Sequence, residues 1–343
     1  MRRRRVSGYG KLYRINSLGT YIYTLGLSLL CWVAGYIYSV GFPVYGGVSA
    51  PPLWNTICRI LPGKTITYLV AFFLTLGGAF LIHRANYAVM IIRGKTLLPF
   101  LLYILLISTN PDFFPLKSTS VGVFCLILAM YQLFASYHDG AAKDRAFNAA
   151  LYIGVGSLIW VHILCFLPLF WVGMYNFKTL NIRTFVASLF GVGVVYWFLL
   201  GWCVWQQDYT PFTLPFSTFL KFRFFIAIET GFIPWMHILY VGVLVFISIL
   251  YIMTHQHEEG LRTRQFLSFL IMFALFSFAL YFLYEQSSEE FLSTACLPVA
   301  ILLAHFFTVN HGKRLFLFYH FSILFFVLLL ALRLWISLSN TVI

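Results

Sequence analysis

Apolar runs of helical length alternate with short charged loops from one end of this chain to the other, and that alternation predicts its architecture. Leu18 to Val40 is apolar for long enough to cross a bilayer. Further runs follow at Thr65 to Ile82, Thr96 to Ile107 and Ser118 to Ser136. After a central stretch come Thr184 to Trp205, Met236 to Met253, Phe266 to Tyr284, Phe291 to Val309 and Leu315 to Leu338. A hydrocarbon core takes about 20 helical residues to span, so each run is read as a membrane helix, the third of them short.

The central stretch does not fit that measure. Between the basic pairs Lys143/Arg145 and Lys178/Arg183 lies an uncharged apolar run of 29 residues, Phe147 to Tyr175. That is too long for one crossing and too short for two full ones. Gly154, Gly156 and Pro168 interrupt it, which predicts two short helices buried among longer ones. Around the runs, Gly41 to Lys64 is rich in Gly and Pro and predicts an irregular outer loop. Ala85 to Ile92 predicts a short interfacial helix on the inner side. Gln206 to Trp235 predicts a long outer-face segment whose Phe216 to Ile228 part forms an interfacial helix.

Charge decides the topology. If the central stretch crosses twice, the later inner loops carry Lys178, Arg183, Arg262, Arg264, Lys313 and Arg314, and the outer loops carry only Lys221 and Arg223. A single crossing reverses that distribution against the tendency of basic residues to stay on the cytoplasmic side. The expectation is an all-α polytopic transmembrane helical bundle of about 11 passes, with the N-terminus inside and the C-terminus outside. Residues 1–343 then form a single integral membrane domain, with 1–17 as a basic cytoplasmic N-terminus and 206–235 as an outer-face loop. The run after the N-terminal arginines exceeds the apolar centre of a cleavable signal, so a retained anchor is expected.

Composition agrees: 61% of residues are hydrophobic and 10% charged, with a mean hydropathy of +0.87, against about 25% charged in soluble domains. The net charge of +13 sits in short loops, where it reads as topogenic rather than as a nucleic-acid surface. Membrane lipids are the partners this implies, and no nucleic acid. Six cysteines are scattered without paired spacing and read as buried apolar residues.

Candidate chemistry is sparse. Only ten acidic residues exist, and Asp112 in the outer turn TNPDFFPLK is placed to act as a general base or to cap that turn. Lys117 stands in the same turn. His255 and His257 with Glu258 and Glu259 have metal-ligand residue types without a further ligand at fixed spacing, and no metal or cofactor is expected. His162 is read as bonding a carbonyl freed near Pro168, and Arg333 as reaching along its helix toward the outer interface. No nucleotide loop, dinucleotide fingerprint, nucleophile elbow or inverted repeat is present.

The segment from Arg84 to Trp202 resembles the integral-membrane C-type glycosyltransferases that use polyprenyl-phosphate sugars. The resemblance is carried by the paired short helices around the outer turn in LLPFLLYILLISTNPDFFPLKSTSVGVFCLILAMYQLFASY. It continues in the broken unit AFNAALYIGVGSLIWVHILCFLPLFWVGMY. The layout is also similar to that of a polytopic inner-membrane family of Bacteroidota-type bacteria. The resemblance implies a bacterial inner-membrane protein that binds a polyprenyl-phosphate-linked sugar at its outer face. It further implies Asp112 as the catalytic acid of the second outer loop, with Lys117, Lys221 and Arg223 as substrate-binding residues. The first outer loop, where the family carries an acid, has none here. Two other readings stand beside the transferase-like one: a non-catalytic membrane subunit of a cell-envelope assembly, and a lipid or solute transporter.

Overall fold

The computed structural model describes residues 15, 17–38, 51–61, 63–92, 96–219, 232–284, 287–310 and 312–342. The first five helices are α1 (Leu18–Tyr38), α2 (Pro52–Ile60), α3 (Lys64–Val89), α4 (Leu98–Ser108) and α5 (Ser118–Ala135). They are followed by α6 (Lys143–Ser157), α7 (Phe166–Asn176), α8 (Ile182–Gln206) and α9 (Thr210–Phe219). The chain ends with α10 (Phe232–Thr254), α11 (Leu261–Leu283), α12 (Ser288–Val309) and α13 (Lys313–Val342). Among the described residues, eight of these helices are long and apolar enough to cross a membrane: α1, α3, α5, α8 and α10 to α13. The shorter α4, α6 and α7 complete a polytopic helical bundle.

The core is built on α12. Its residues from Thr294 to Thr308 are all buried, packed by α4, α5, α10 and α11. α4 is likewise enclosed, with ten of its eleven residues buried. A helix that is apolar all round belongs inside a bundle, whereas α8 and α13 turn Trp197, Phe198, Trp205, Phe321 and Trp335 outward, as lipid-facing helices do.

The central stretch forms the predicted helical pair, but its bend has a different cause. α6 runs to Ser157, the chain turns through Leu158 to Trp160, and a 3₁₀ turn at Val161–Cys165 leads into α7. Pro168 lies in the first turn of α7, where a missing N–H costs nothing. Gly154 and Gly156 lie inside α6 and serve close packing. A Cβ on Gly156 would meet Ile163 Cδ1 at 2.6 Å, and one on Gly154 would meet the Val192 backbone at 3.3 Å. Both ends of the pair stand at one end of the bundle: the His138 N–H donates to the Phe177 carbonyl at 3.3 Å, and Asn181 Nδ2 donates to the Gly140 carbonyl at 2.8 Å.

Three local expectations change. The separate interfacial helix over Ala85 to Ile92 is absent: α3 continues through His83 and Arg84, no Gly or Pro intervening, until Met90 (φ 54°) ends it in the left-handed region. Part of the Gly/Pro-rich outer segment is helical, since Pro52 opens α2 with a preset φ. α2 rests on the bend of the central pair through a Leu53 N–H to Leu158 carbonyl bond of 3.3 Å. A helix does form in the 206–235 segment: α9 begins before the predicted Phe216 and is described to Phe219, and residues 220–231 lie outside the described residues.

Candidate functional site at the outer turn

Between α4 and α5 the chain reverses in nine residues, and local side chains set how. The Asn110 side chain accepts from the Asp112 N–H at 3.2 Å, an Asx turn that caps the 3₁₀ turn Pro111–Phe113. Phe114 points into the bundle, fully buried, against Trp32 and Tyr68. It fills the space left by Gly35, where a Cβ would meet its ring at 2.3 Å. With the apolar side chains buried, the polar ones of the turn are held at the outer end of the bundle.

Three contacts tie this end together. Arg333 of α13 donates from Nη2 to Asp112 Oδ2 at 2.7 Å and from Nη1 to Asn110 Oδ1 at 2.5 Å. Lys117 is ion-paired with Glu289 in the first turn of α12. Trp160, at the bend of the central pair, donates from Nε1 to Glu290 Oε2 at 2.6 Å. Glu289 and Glu290 both stand where the α12 dipole favours negative charge. Beside them the His162 ring packs against Tyr284 and Phe291 with centroids at 5.0 and 5.8 Å, so its surroundings are aromatic. Tyr284 in turn donates to the Phe219 carbonyl of α9 at 2.9 Å.

Asp112 and Lys117 therefore share a turn but hold different partners, α13 for one and α12 for the other. The Asp112 side chain is 31% exposed, and the Arg333 bond is made through its Oδ2. Lys221 and Arg223 lie outside the described residues. The sequence reading missed Arg333 as the partner of Asp112, and it missed Glu290. Arg333 carried a usable signal, being a guanidinium in an apolar helix, which needs a partner. Glu290 carried none, because nothing in EQSSEE distinguishes it from Glu289.

Cavities at this end fall into two kinds. Beneath the turn, a space of about 30 Å³ is lined by Thr75, Tyr103, Lys117, Thr119, Ser120 and Ser293 together with apolar side chains. Along the bundle's outside, a groove of about 470 Å³ runs between α1 and α13, lined by Leu30, Ala34, Leu334 and Trp335. A second, of about 350 Å³, runs between α1 and α3 past Tyr36 and Tyr68.

The opposite end is polar in a different way. Asn181 and Thr184 form a reciprocal cap on α8, and Arg262 lies over the Tyr137 and Phe266 rings at 5.8 and 5.4 Å. His305 Nε2 stands 3.5 Å from Glu259 Oε1. Among the described residues no group of three His, Cys, Asp or Glu side chains is placed to hold a metal ion, and the six cysteines are free.

No protein-family model and no curated protein matches the sequence. The fold does have a solved counterpart in an oligosaccharyltransferase of Archaeoglobus fulgidus, determined with an acceptor peptide containing the NVT sequon tethered through a disulfide bond. The two superpose with a TM-score of 0.51 at 11% identity, over 91% of this chain and 55% of that one. At that identity the likeness is one of fold, that of a multi-pass membrane protein of helical architecture. The chain spans just over half the length of that enzyme.

Proposed function

We propose that this protein is a bacterial inner-membrane, glycosyltransferase-like protein that binds a polyprenyl-phosphate-linked sugar at its outer face. The observation that carries the reading is the oligosaccharyltransferase fold over 91% of the chain. Two features of the structure support it. The groove between α1 and α13 has the apolar lining an isoprenoid chain needs, and it runs beside the helix that carries Arg333. The polar outer turn stands at that end of α13, with Asp112 as the general base, Lys117 for the phosphate side of the substrate, and Lys221 and Arg223 from the outer-face segment in the same role.

The test uses cell envelopes carrying the wild-type protein or Asp112→Ala, supplied with labelled polyprenyl-phosphate sugar. Transfer in the wild type that falls at least about 100-fold in the variant, the range of one lost general base, supports the enzyme reading. Transfer that is equal in both, or absent from both, removes it.

A second reading is favoured by one specific observation. Asp112 is already held by Arg333 and by the Asn110 turn, and the segment from Gly41 to Lys64 carries no acid. A non-catalytic subunit of a cell-envelope assembly would bind the lipid-linked sugar without consuming it. Binding of the labelled lipid with no transfer in either form decides for that reading.

A further inference from the structure

The small space beneath the outer turn is unlike the grooves beside α1, because hydroxyls and an ammonium line it. Thr75 and Ser293 already donate their hydroxyl protons, to the Ala71 and Glu290 carbonyls. Thr119 does not: the residue is 1% exposed, and its Oγ1 is buried with no hydrogen-bond partner. A buried hydroxyl left unpaired costs about 1–3 kcal/mol, which points to a ligand atom that pairs with it.

Thr119 also lies in the first turn of α5, whose N-cap, Lys117, supplies no side-chain acceptor. The Ser120 N–H turns back to the Lys117 carbonyl at 3.0 Å, and the dipole of this 18-residue helix places partial positive charge at that end. The Lys117 ammonium stands at its rim with Glu289 as partner. The volume of about 30 Å³ admits two oxygen-sized atoms, at roughly 10–15 Å³ for each water-sized occupant. That excludes a sugar ring and admits the oxygens of a tetrahedral anion entering from the outer face.

We propose that Lys117, Thr119, Ser120 and the N-terminus of α5 form a binding site for a phosphate group, on which the Glu289 carboxylate stands in when the site is empty. A phosphate oxygen takes the Thr119 hydroxyl at the positive end of the α5 dipole, and displaces Glu289 from Lys117. A lipid headgroup or free phosphate supplies the same chemistry. The site shares Lys117 with the lipid-linked-sugar reading but does not depend on transfer. Phosphate binding without sugar transfer leaves this site standing and removes the enzyme.

The test is calorimetric titration of the purified full-length protein in a neutral detergent, with inorganic phosphate and with geranyl phosphate as probes. Saturable binding is expected, about tenfold weaker in Lys117→Ala and Thr119→Val, as for a lost hydrogen bond to a charged group. Thr119→Ser should bind like the wild type, and Glu289→Gln, with no competing carboxylate, several-fold tighter. Stronger binding of geranyl phosphate identifies a lipid headgroup as the source, and equal binding identifies free phosphate. No binding of either probe overturns the proposal, as does wild-type affinity in Thr119→Val. The Glu289 side chain is 54% exposed, so Glu289→Gln folds whatever the core variants do. Unchanged affinity in that variant overturns the proposal on its own.

Discussion

At the scale of single residues, Arg333 does the most for the outer end. Its planar fork reaches two acceptors at once, the Asp112 carboxylate and the Asn110 amide oxygen, and so clamps the last helix onto a turn 221 positions earlier. Arg333→Ala leaves the Asp112 carboxylate without this donor and Asn110 Oδ1 with only the Asp112 N–H, and about 2 kcal/mol of stability should be lost, read as a lowered midpoint of thermal unfolding in detergent. Arg333→Lys should recover only part of it, because one ammonium does not reproduce the two-pronged geometry. A result in which lysine restores the full midpoint would mean that charge alone matters. The sequence revealed that an intramembrane guanidinium was present. It did not reveal the partner, since hydropathy carries no information about which of six outer acids lies across the bundle.

At the scale of elements, close approach governs the central pair. α6 packs most extensively on α8, and Gly191 makes that possible: a Cβ there would meet the Phe147 carbonyl oxygen at 2.5 Å and the Ala150 Cβ at 3.0 Å. Small residues let membrane helices approach backbone to backbone. Gly191→Ala should therefore cost about 1–3 kcal/mol as the two helices are forced apart, whereas Gly193→Ala, which meets nothing within 4 Å, should be neutral in the same unfolding assay. The existence of the short pair was legible, because the 29-residue length and the flanking charges constrain it from outside. The position of its bend was not. Proline and glycine mark a break only when tertiary contacts do not use them otherwise, and here Pro168 starts a helix while Gly154 and Gly156 receive neighbours. α2 and the unbroken α3 were missed for a related reason: Gly-, Pro- and Arg-containing stretches read as loops until the rest of the bundle supports them as helices.

At the scale of the whole molecule, each end is laced by its own charged and backbone contacts, while hydroxyl pairs such as Tyr240–Ser322 and Ser157–Tyr196 join helices between them. Lys117–Glu289, Trp160–Glu290 and Arg333–Asp112 join one end; Asn181–Gly140, His138–Phe177 and His305–Glu259 join the other. This grouping puts positions 138 and 178 on one side of the membrane and 289 on the opposite side. Single cysteines at those positions, in a background lacking the six native ones, should react accordingly with an impermeant maleimide. Labelling of 138 and 178 from opposite sides would overturn the bundle's connectivity. The overall class was legible because burial in lipid demands long apolar runs and leaves little choice of fold.

The enclosure of α12 has a consequence for how the protein is made. The ribosome delivers this helix long after its mature neighbours α4 and α5, from which seven and six of the described helices separate it. Those earlier helices must wait without the partner that α4 and α5 pack against in the mature bundle, and lipid, as apolar as the buried side chains of α4 and α5, fills its slot meanwhile. Assembly then becomes a late exchange of lipid for helix. What selects α12 for the slot is not greasiness, which lipid matches, but the fit of its packed surface and the carboxylates at its outer end, which find Lys117 and Trp160 already waiting.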